Sequence, residues 1–204
     1  MAEKSPTHPH ITFLHTHTHT HTHTHTQAPR ENAVVIGGSG YLGKRLVQQL
    51  IHDGNYHVHS LDLTVPPDNK RDPSIHSYIQ TDITKKEHVM NALTGMNVVF
   101  HTASLIPITV EITDDDMYKV NVTGTQNIIE ACRVNSIKRL IYTSSSSIVL
   151  GKDHTKICEN IEESESLPDE PLNMYVKTKG VAETMILERR LALVTIMPLR
   201  IVIK

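Results

Sequence analysis

From Asn32 onward, short β-branched runs alternate with longer stretches whose apolar residues recur every three or four positions. Ala33–Ile36 is an unbroken apolar run closed by glycines, which predicts a buried strand. Leu42, Leu46, Val47 and Leu50 share one face of a helix over Leu42–Ile51. His57–Leu63 alternates and predicts a second strand; Ile75–Gln80 predicts a third, weaker one. Thr84–Leu93 reads as a helix with Thr84 as its N-cap. Val98–Phe100 is a fourth strand. Asp114–Val134 is a long helix whose first-turn acids suit the macrodipole. Arg139–Thr143 is a fifth strand, Asn173–Arg190 a helix and Leu193–Met197 a sixth strand. This alternation predicts parallel βαβ units, hence an α/β, doubly wound parallel sheet with helices on both faces. The runs are too short and too frequent for a helix bundle.

Residues 1–31 follow no such pattern. From His15 to Thr26 the chain alternates His and Thr with no apolar face to bury, which predicts a disordered tail. Imidazoles bind zinc, copper or nickel. A CA-dinucleotide repeat read as CAC-ACA codons gives the same tract without selection for a metal, and incidental affinity is all the pattern requires. Residues 32–204 then form one domain.

Composition narrows the function. A length of 204 residues suits a single domain. Lys and Arg number 20 against 22 Asp and Glu, a net charge of −2, which argues against a nucleic-acid surface because such a surface needs a basic face. Trp is absent and Phe occurs twice, so the core must be aliphatic. No apolar run approaches the ~20 residues that cross a bilayer. Ile11–Leu14 is too short for a signal-peptide core. Cys132 and Cys158 have neither metal-ligand spacing nor a disulfide framework, so a reducing, cytoplasmic setting is expected.

The strongest local signal is Gly37-Gly38-Ser39-Gly40-Tyr41-Leu42-Gly43, with Gly37, Gly40 and Gly43 spaced G-x-x-G-x-x-G between strand and helix. The first glycine permits a tight turn, the second lets backbone approach a pyrophosphate, and the third lets helix pack close to strand. The helix N-terminus at Tyr41 and Leu42 then offers free N–H groups to phosphates. Gly38, Gly43 and Lys44 also match P-loop spacing, but Arg45 stands where a hydroxyl should hold Mg²⁺, so that reading is discarded. Asp62 ends the second strand. A carboxylate there accepts hydrogen bonds from ribose hydroxyls and repels a 2′-phosphate, which favours NAD, while Lys44 and Arg45 leave NADP open.

Tyr175 and Lys179 lie four residues apart on a predicted helix and so share a face. A phenol is a poor base at neutral pH, and an adjacent ammonium favours its phenolate. The hydroxyl run Thr143–Ser147 begins at the carboxyl end of the fifth strand, where ligands of open α/β sheets bind. One hydroxyl there can hold a substrate oxygen; a polar loop start is the simpler origin of the run.

These pieces, with Thr81-Asp82-Ile83, Val99-Phe100-His101-Thr102-Ala103, Asn121-Val122-Thr123-Gly124-Thr125-Gln126-Asn127 and Ile141-Tyr142-Thr143-Ser144-Ser145, carry a family resemblance. Over residues 32–200 the chain resembles the extended short-chain dehydrogenase/reductases, most of all the 3β-hydroxysteroid dehydrogenase and sterol-4α-carboxylate 3-dehydrogenase group. The resemblance implies a Rossmann fold, with Tyr175 as acid/base and Lys179 favouring its phenolate and binding the nicotinamide ribose. It implies a serine that orients the substrate oxygen. Counting from the strand gives Ser145 and counting back from Gly151 gives Ser146; Ser145 is taken. Asp82 and Ile83 would flank the adenine, and His101, Thr102 and Ala103 would line the cofactor. Asn121-Val122-Thr123 also fits a glycosylation sequon, which a helix in a cytoplasmic protein makes a chance match.

Relatives of this kind continue past Leu199-Arg200 with a proline and a largely C-terminal substrate lobe, and some with a membrane segment that joins the endoplasmic reticulum. Here Ile201 follows Arg200. The expectation is a C-terminally truncated chain with the substrate lobe largely missing, weak or absent turnover, and an uncovered surface that invites aggregation or pairing, a homodimer being one such outcome. The leading reading is an NAD(P)-dependent oxidoreductase acting on a CH–OH group of a 3β-hydroxysteroid or sterol. The alternatives are a non-catalytic dinucleotide-binding remnant and an extended-family epimerase, dehydratase or flavonoid-type reductase.

Overall fold

The computed structural model describes residues 29–107, 111–151, 167–188 and 195–199, the last as backbone. The His15–Thr26 tract, Cys158 and the chain end at residues 200–204 lie outside the described residues.

Six parallel strands form one sheet in the order β3-β2-β1-β4-β5-β6. They are β1 (Glu31–Ile36), β2 (Tyr56–Asp62), β3 (Ser77–Gln80), β4 (Val98–His101), β5 (Arg139–Thr143) and β6 (Thr195–Leu199). β1 sits centrally and pairs in register with β2 on one side and β4 on the other. Strand order therefore reverses beside β1, and the crevice beyond the carboxyl ends of β1 and β4 is where such sheets bind ligands. The helices are α1 (Tyr41–Asp53), α2 (Lys86–Ala92), α3 (Asp114–Tyr118), α4 (Gly124–Val134) and α5 (Met174–Glu188).

Helices cover both faces, and the core divides accordingly. On one face Val47 and Leu50 of α1 pack on Val35 and Val58. On the other, Val89 of α2, Ile128, Ala131 and Cys132 of α4, and Ala182 and Ile186 of α5 pack on Val34, Ile36, Leu61, Val99 and Leu140. Burial on both faces explains why Ala33–Ile36 is unbroken and apolar rather than alternating. Each fully buried Val, Ile or Leu contributes roughly 1.5–3 kcal/mol.

Strand ends shift by a residue or two, β6 from the expected Leu193–Met197 to Thr195–Leu199, and three further differences have a visible cause. Thr84 is not an N-cap: α2 starts two residues later behind Lys85, and the Thr84 backbone N–H and hydroxyl both donate to Asp82 Oδ1, at 2.9 and 2.7 Å. The Asp82 side chain captures the segment in a turn before the helix begins. β3 starts at Ser77 because Asp72-Pro73-Ser74 forms a turn in which Ile75 N–H donates to Asp72 O. The 114–134 helix is continuous in direction but passes through a π-helical turn at Lys119–Thr123 between α3 and α4. Its start carries a capping box, Thr113 with Asp116.

Candidate active site

The glycine turn is held closed by backbone contacts that exclude side chains. Gly37 has φ +87°, and a Cβ there would lie 2.7 Å from Ala103 N and 2.8 Å from Thr102 Oγ1. A Cβ on Gly43 would lie 2.0 Å from Gly37 O, so α1 can approach β1 this closely only through glycine. Gly37 and Gly38 N–H both donate to Leu61 O, which ties the turn to β2. Gly40 is the N-cap of α1 and has no side chain to cap it. The first-turn N–H groups at Tyr41 and Leu42 thus meet no capping side chain, and Tyr41 is largely exposed. Asp62, at the end of β2, accepts the Ser39 N–H at 2.9 Å, while the Ser39 hydroxyl donates to Thr64 O. The carboxylate is therefore fixed beside the glycine turn, where a diphosphate held by the turn would carry its ribose.

Ile83 is buried under α4, its side chain 2.7 Å from the position of a Cβ on Gly124, and its carbonyl accepts from Asn127. Asp82 beside it is half-buried. Thr102 and Ala103 follow β4; the Thr102 hydroxyl donates to Ile36 O. His101 is fully enclosed. Thr125 donates its hydroxyl proton to Asn121 O, so it can only accept from His101, which is therefore protonated on Nε2. Burial first, and then the Lys179 charge, push the His101 pKa down to about 3.

Lys179 is buried on α5. Its Nζ donates to Thr143 O at 2.7 Å and stands 4.1 Å from the centre of the Tyr142 ring. Burial lowers its pKa to about 7, against an opposing pull from Glu183. Tyr175 lies one turn earlier on α5, half-buried, and its charge contributes, after burial, to raising the Tyr142 pKa. Ser145 ends the loop after β5 with its Oγ 2.7 Å from Ser147 Oγ and accepting the Ser147 N–H. Ser146, the alternative, is exposed, whereas Ser145 is half-buried.

The carboxyl ends of β1, β2, β4 and β5 thus gather the glycine turn, Asp62, Thr102, Ala103 and Ser145, and α5 brings Tyr175 and Lys179 to the same edge. Lys179 reaches Thr143 and Tyr142. Two braces escaped the sequence reading. Asn121, in the π-helical turn, is buried; its amide donates to Leu105 O and Thr178 Oγ1, and its carbonyl oxygen accepts from Leu105 N–H and Ser104. An Asn in mid-helix, where its propensity is poor, was the available signal. The folded structure leaves no room for a glycan on Asn121. Tyr142 is the second, and nothing but its place before the serine run marked it.

The sequence model described as the 3-beta hydroxysteroid dehydrogenase/isomerase family matches residues 34–192. The 3 beta-hydroxysteroid dehydrogenase/Delta 5-->4-isomerase of Monkeypox virus is 35% identical over 157 residues, covering 76% of this chain and 45% of its own. The human sterol-4-alpha-carboxylate 3-dehydrogenase, decarboxylating, is 34% identical over 162 residues, covering 79% and 40%. The chain spans less than half the length of these curated relatives. Among solved structures, the UDP-glucose 4-epimerase of Thermus thermophilus, in complex with NAD, superposes with a TM-score of 0.69 at 24% identity, covering 83% of this chain and 54% of that one. Among the described residues, no helix is long and apolar enough to cross a membrane.

Proposed function

The chain belongs to the 3-beta hydroxysteroid dehydrogenase/isomerase family, and from that premise we propose that it binds NAD and serves oxidoreduction of a CH–OH group on a 3β-hydroxysteroid or sterol. The observation that carries the reading is the Lys179 ammonium, buried against Thr143 O at the carboxyl end of β5, one helical turn from Tyr175.

The residues present fit a dinucleotide. The cradle at Gly37 and Gly43 admits no Cβ, the α1 N-terminus has no capping side chain, and Asp62 is already oriented by Ser39. Tyr41, Leu42 and the glycines would hold the pyrophosphate through N–H groups and the helix dipole. Asp62 would accept from the adenosine ribose diol, Asp82 and Ile83 would flank the adenine, and Thr102 and Ala103 would line the inner wall. When bound, the nicotinamide supplies the hydride acceptor or donor.

The chain's own residues handle the proton. Tyr175 takes it from the substrate hydroxyl on oxidation and returns it on reduction. In its charged form Lys179 favours the phenolate that this exchange passes through, and it would donate to the nicotinamide ribose. Ser145, half-buried with its hydroxyl near Ser147, holds the substrate oxygen.

The test is a fluorescence titration of the chain with NADH and NADPH, followed by assay of a 3β-hydroxysteroid with NAD. NADH binding tighter than NADPH, with NADH released as steroid is oxidised, supports the reading. Cofactor that binds tightly but is never released reduced would point to an epimerase. No dinucleotide binding would sink the assignment.

A further inference from the structure

The geometry points to Tyr142 as a positioning residue: its ring face holds the Lys179 ammonium in place and favours its charged form. This rests on the reading of Lys179 as the group that serves Tyr175.

Tyr142 lies at the carboxyl end of β5, in register between His101 of β4 and Pro198 of β6. It is one of the largest fully buried side chains, at 1% exposure. Its hydroxyl has no hydrogen-bond partner among the described residues. A buried phenol normally finds a partner for its O–H, and leaving one unpaired is unfavourable. The hydroxyl therefore does not account for the residue; what the ring does is visible. The Lys179 Nζ stands 4.1 Å above its centre, well within cation–π range. The opposite constraint comes from His101, whose ring centre is 5.2 Å from that of Tyr142. His101 is itself pinned by Thr125. A chain of contacts thus runs from Thr125 of α4 through the rings of His101 and Tyr142 to the ammonium.

The ammonium needs this. It is 2% exposed, and its only hydrogen bond among those described is to Thr143 O. An ammonium has three donors and loses its hydration on burial. Among the described residues, the groups facing it are few. Glu183 and Tyr175 come from its own helix, Tyr142 from β5 and His101 from β4. Glu183 supplies the counter-charge that favours the ammonium, whereas His101 is neutral and adds none. The electron-rich face of Tyr142 and the Thr143 carbonyl are consecutive on β5, so one strand end supplies both partners. A smaller aliphatic residue at 142 would replace the ring face with hydrocarbon and leave the ammonium with the Thr143 carbonyl and the Glu183 charge alone among the described groups.

The experiment follows the Lys179 ammonium by NMR in the full chain carrying lysine labelled at the ε position. The Lys179 signal is identified by its loss in Lys179→Arg. In the wild type the Lys179 ε protons should be displaced upfield by the ring current, and a signal at the ordinary lysine position would overturn the proposal without any variant. Tyr142→Phe keeps the ring and should leave the titration midpoint of Lys179 within about 0.3 of wild type. Phenylalanines of increasing fluorination at position 142 keep the shape and drain the ring face. They should lower the midpoint progressively, by about one unit at full fluorination, the size of a desolvated cation–π contact. Tyr142→Leu should lower it by a similar amount. A flat fluorination series, or a shift in Tyr142→Phe as large as in Tyr142→Leu, would overturn the ring's role. Dinucleotide titration runs alongside: failure to bind NADH defeats the functional reading, while the ring-current position and the fluorination series still decide this one.

Discussion

Asp62 Oδ2 accepts the backbone N–H of Ser39 at 2.9 Å, so the carboxylate at the end of β2 is tied to the turn that follows β1. The bond joins the two parts of the crevice that a dinucleotide would bridge, its diphosphate and its adenosine ribose. Asp62 therefore needs little reordering to receive a ribose diol. Asp62→Ala should weaken NADH binding by about tenfold or more, the scale of hydrogen bonds to a charged group at ~1.5–3 kcal/mol. NADPH binding should stay the same or improve, because the repulsion of a 2′-phosphate goes with the carboxylate. Parallel fluorescence titrations measure both. Equal losses for the two cofactors would remove Asp62 as the selector.

Gly43→Ala should disable the turn. Its Cβ would fall 2.0 Å from Gly37 O and 2.7 Å from Gly37 C, and backbone cannot swing aside as a flexible side chain can. Overpacking of this kind costs about 1–3 kcal/mol or more, and relief requires α1 to move off β1. Gly54→Ala is the control. Gly54 has φ +69° and nothing within 4 Å, so alanine there meets only backbone strain of about 1–2 kcal/mol. Urea unfolding should show both losses, but NADH binding should collapse only in Gly43→Ala. Normal NADH affinity in that variant would show that the close approach is not needed for binding.

The contrast between these glycines shows what sequence could carry. G-x-x-G-x-x-G between an apolar run and a 3.6-period stretch encodes a local event, and the turn appears where the spacing puts it. Arg139–Thr143 is recovered residue for residue because Leu140 and Tyr142 are buried, Ile141 is partly covered, and polar residues end the run. The Asp82–Thr84 turn is hidden because Thr84 satisfies the helix-cap pattern while its side chain bonds backward to Asp82. The π-helical turn is hidden because it is stabilised by Asn121 reaching Leu105 and Thr178, partners 16 and 57 residues away. Lys179 could be named from its spacing to Tyr175, but its placement against Tyr142 depends on how α5 docks on β5. Contacts of that range leave no periodic trace.

Acid should weaken the fold through the buried histidines. His101 has a folded-state pKa near 3, below the ordinary 6.5, because burial and the Lys179 charge oppose its protonation. A depressed folded pKa means that the unfolded chain binds the extra proton. The stabilising effect is fully present above about pH 6.5 and is lost as the pH falls toward 3. The loss reaches up to ~1.4 kcal/mol per pH unit for one histidine. His59, lowered to about 4 by burial, His76 and His57 in that order, acts in the same direction over an overlapping window. Urea unfolding at pH 7, 6 and 5 should show the decline, and His101→Gln should reduce its slope by the share of one proton. An unaltered slope in that variant would mean that His101 is protonated in the folded state.

The proton carrier is tested by Tyr175→Phe, which keeps the ring on α5 and removes its hydroxyl. Tyr175 lies one turn before Lys179, whose Nζ is anchored on Thr143 O. The substitution leaves that anchor, the glycine turn and Asp62 untouched. NADH affinity should therefore stay within about threefold of wild type. Hydride transfer should fall by roughly 10²–10⁴, the contribution of a positioned acid/base. The two measurements separate binding from chemistry. Ser145→Ala should give a smaller loss in the same assay, because it removes a hydrogen bond that orients the substrate and not the group that moves the proton. Retained turnover in Tyr175→Phe would assign the proton to another group, and a parallel loss of NADH binding would show that the phenol supports the cofactor instead.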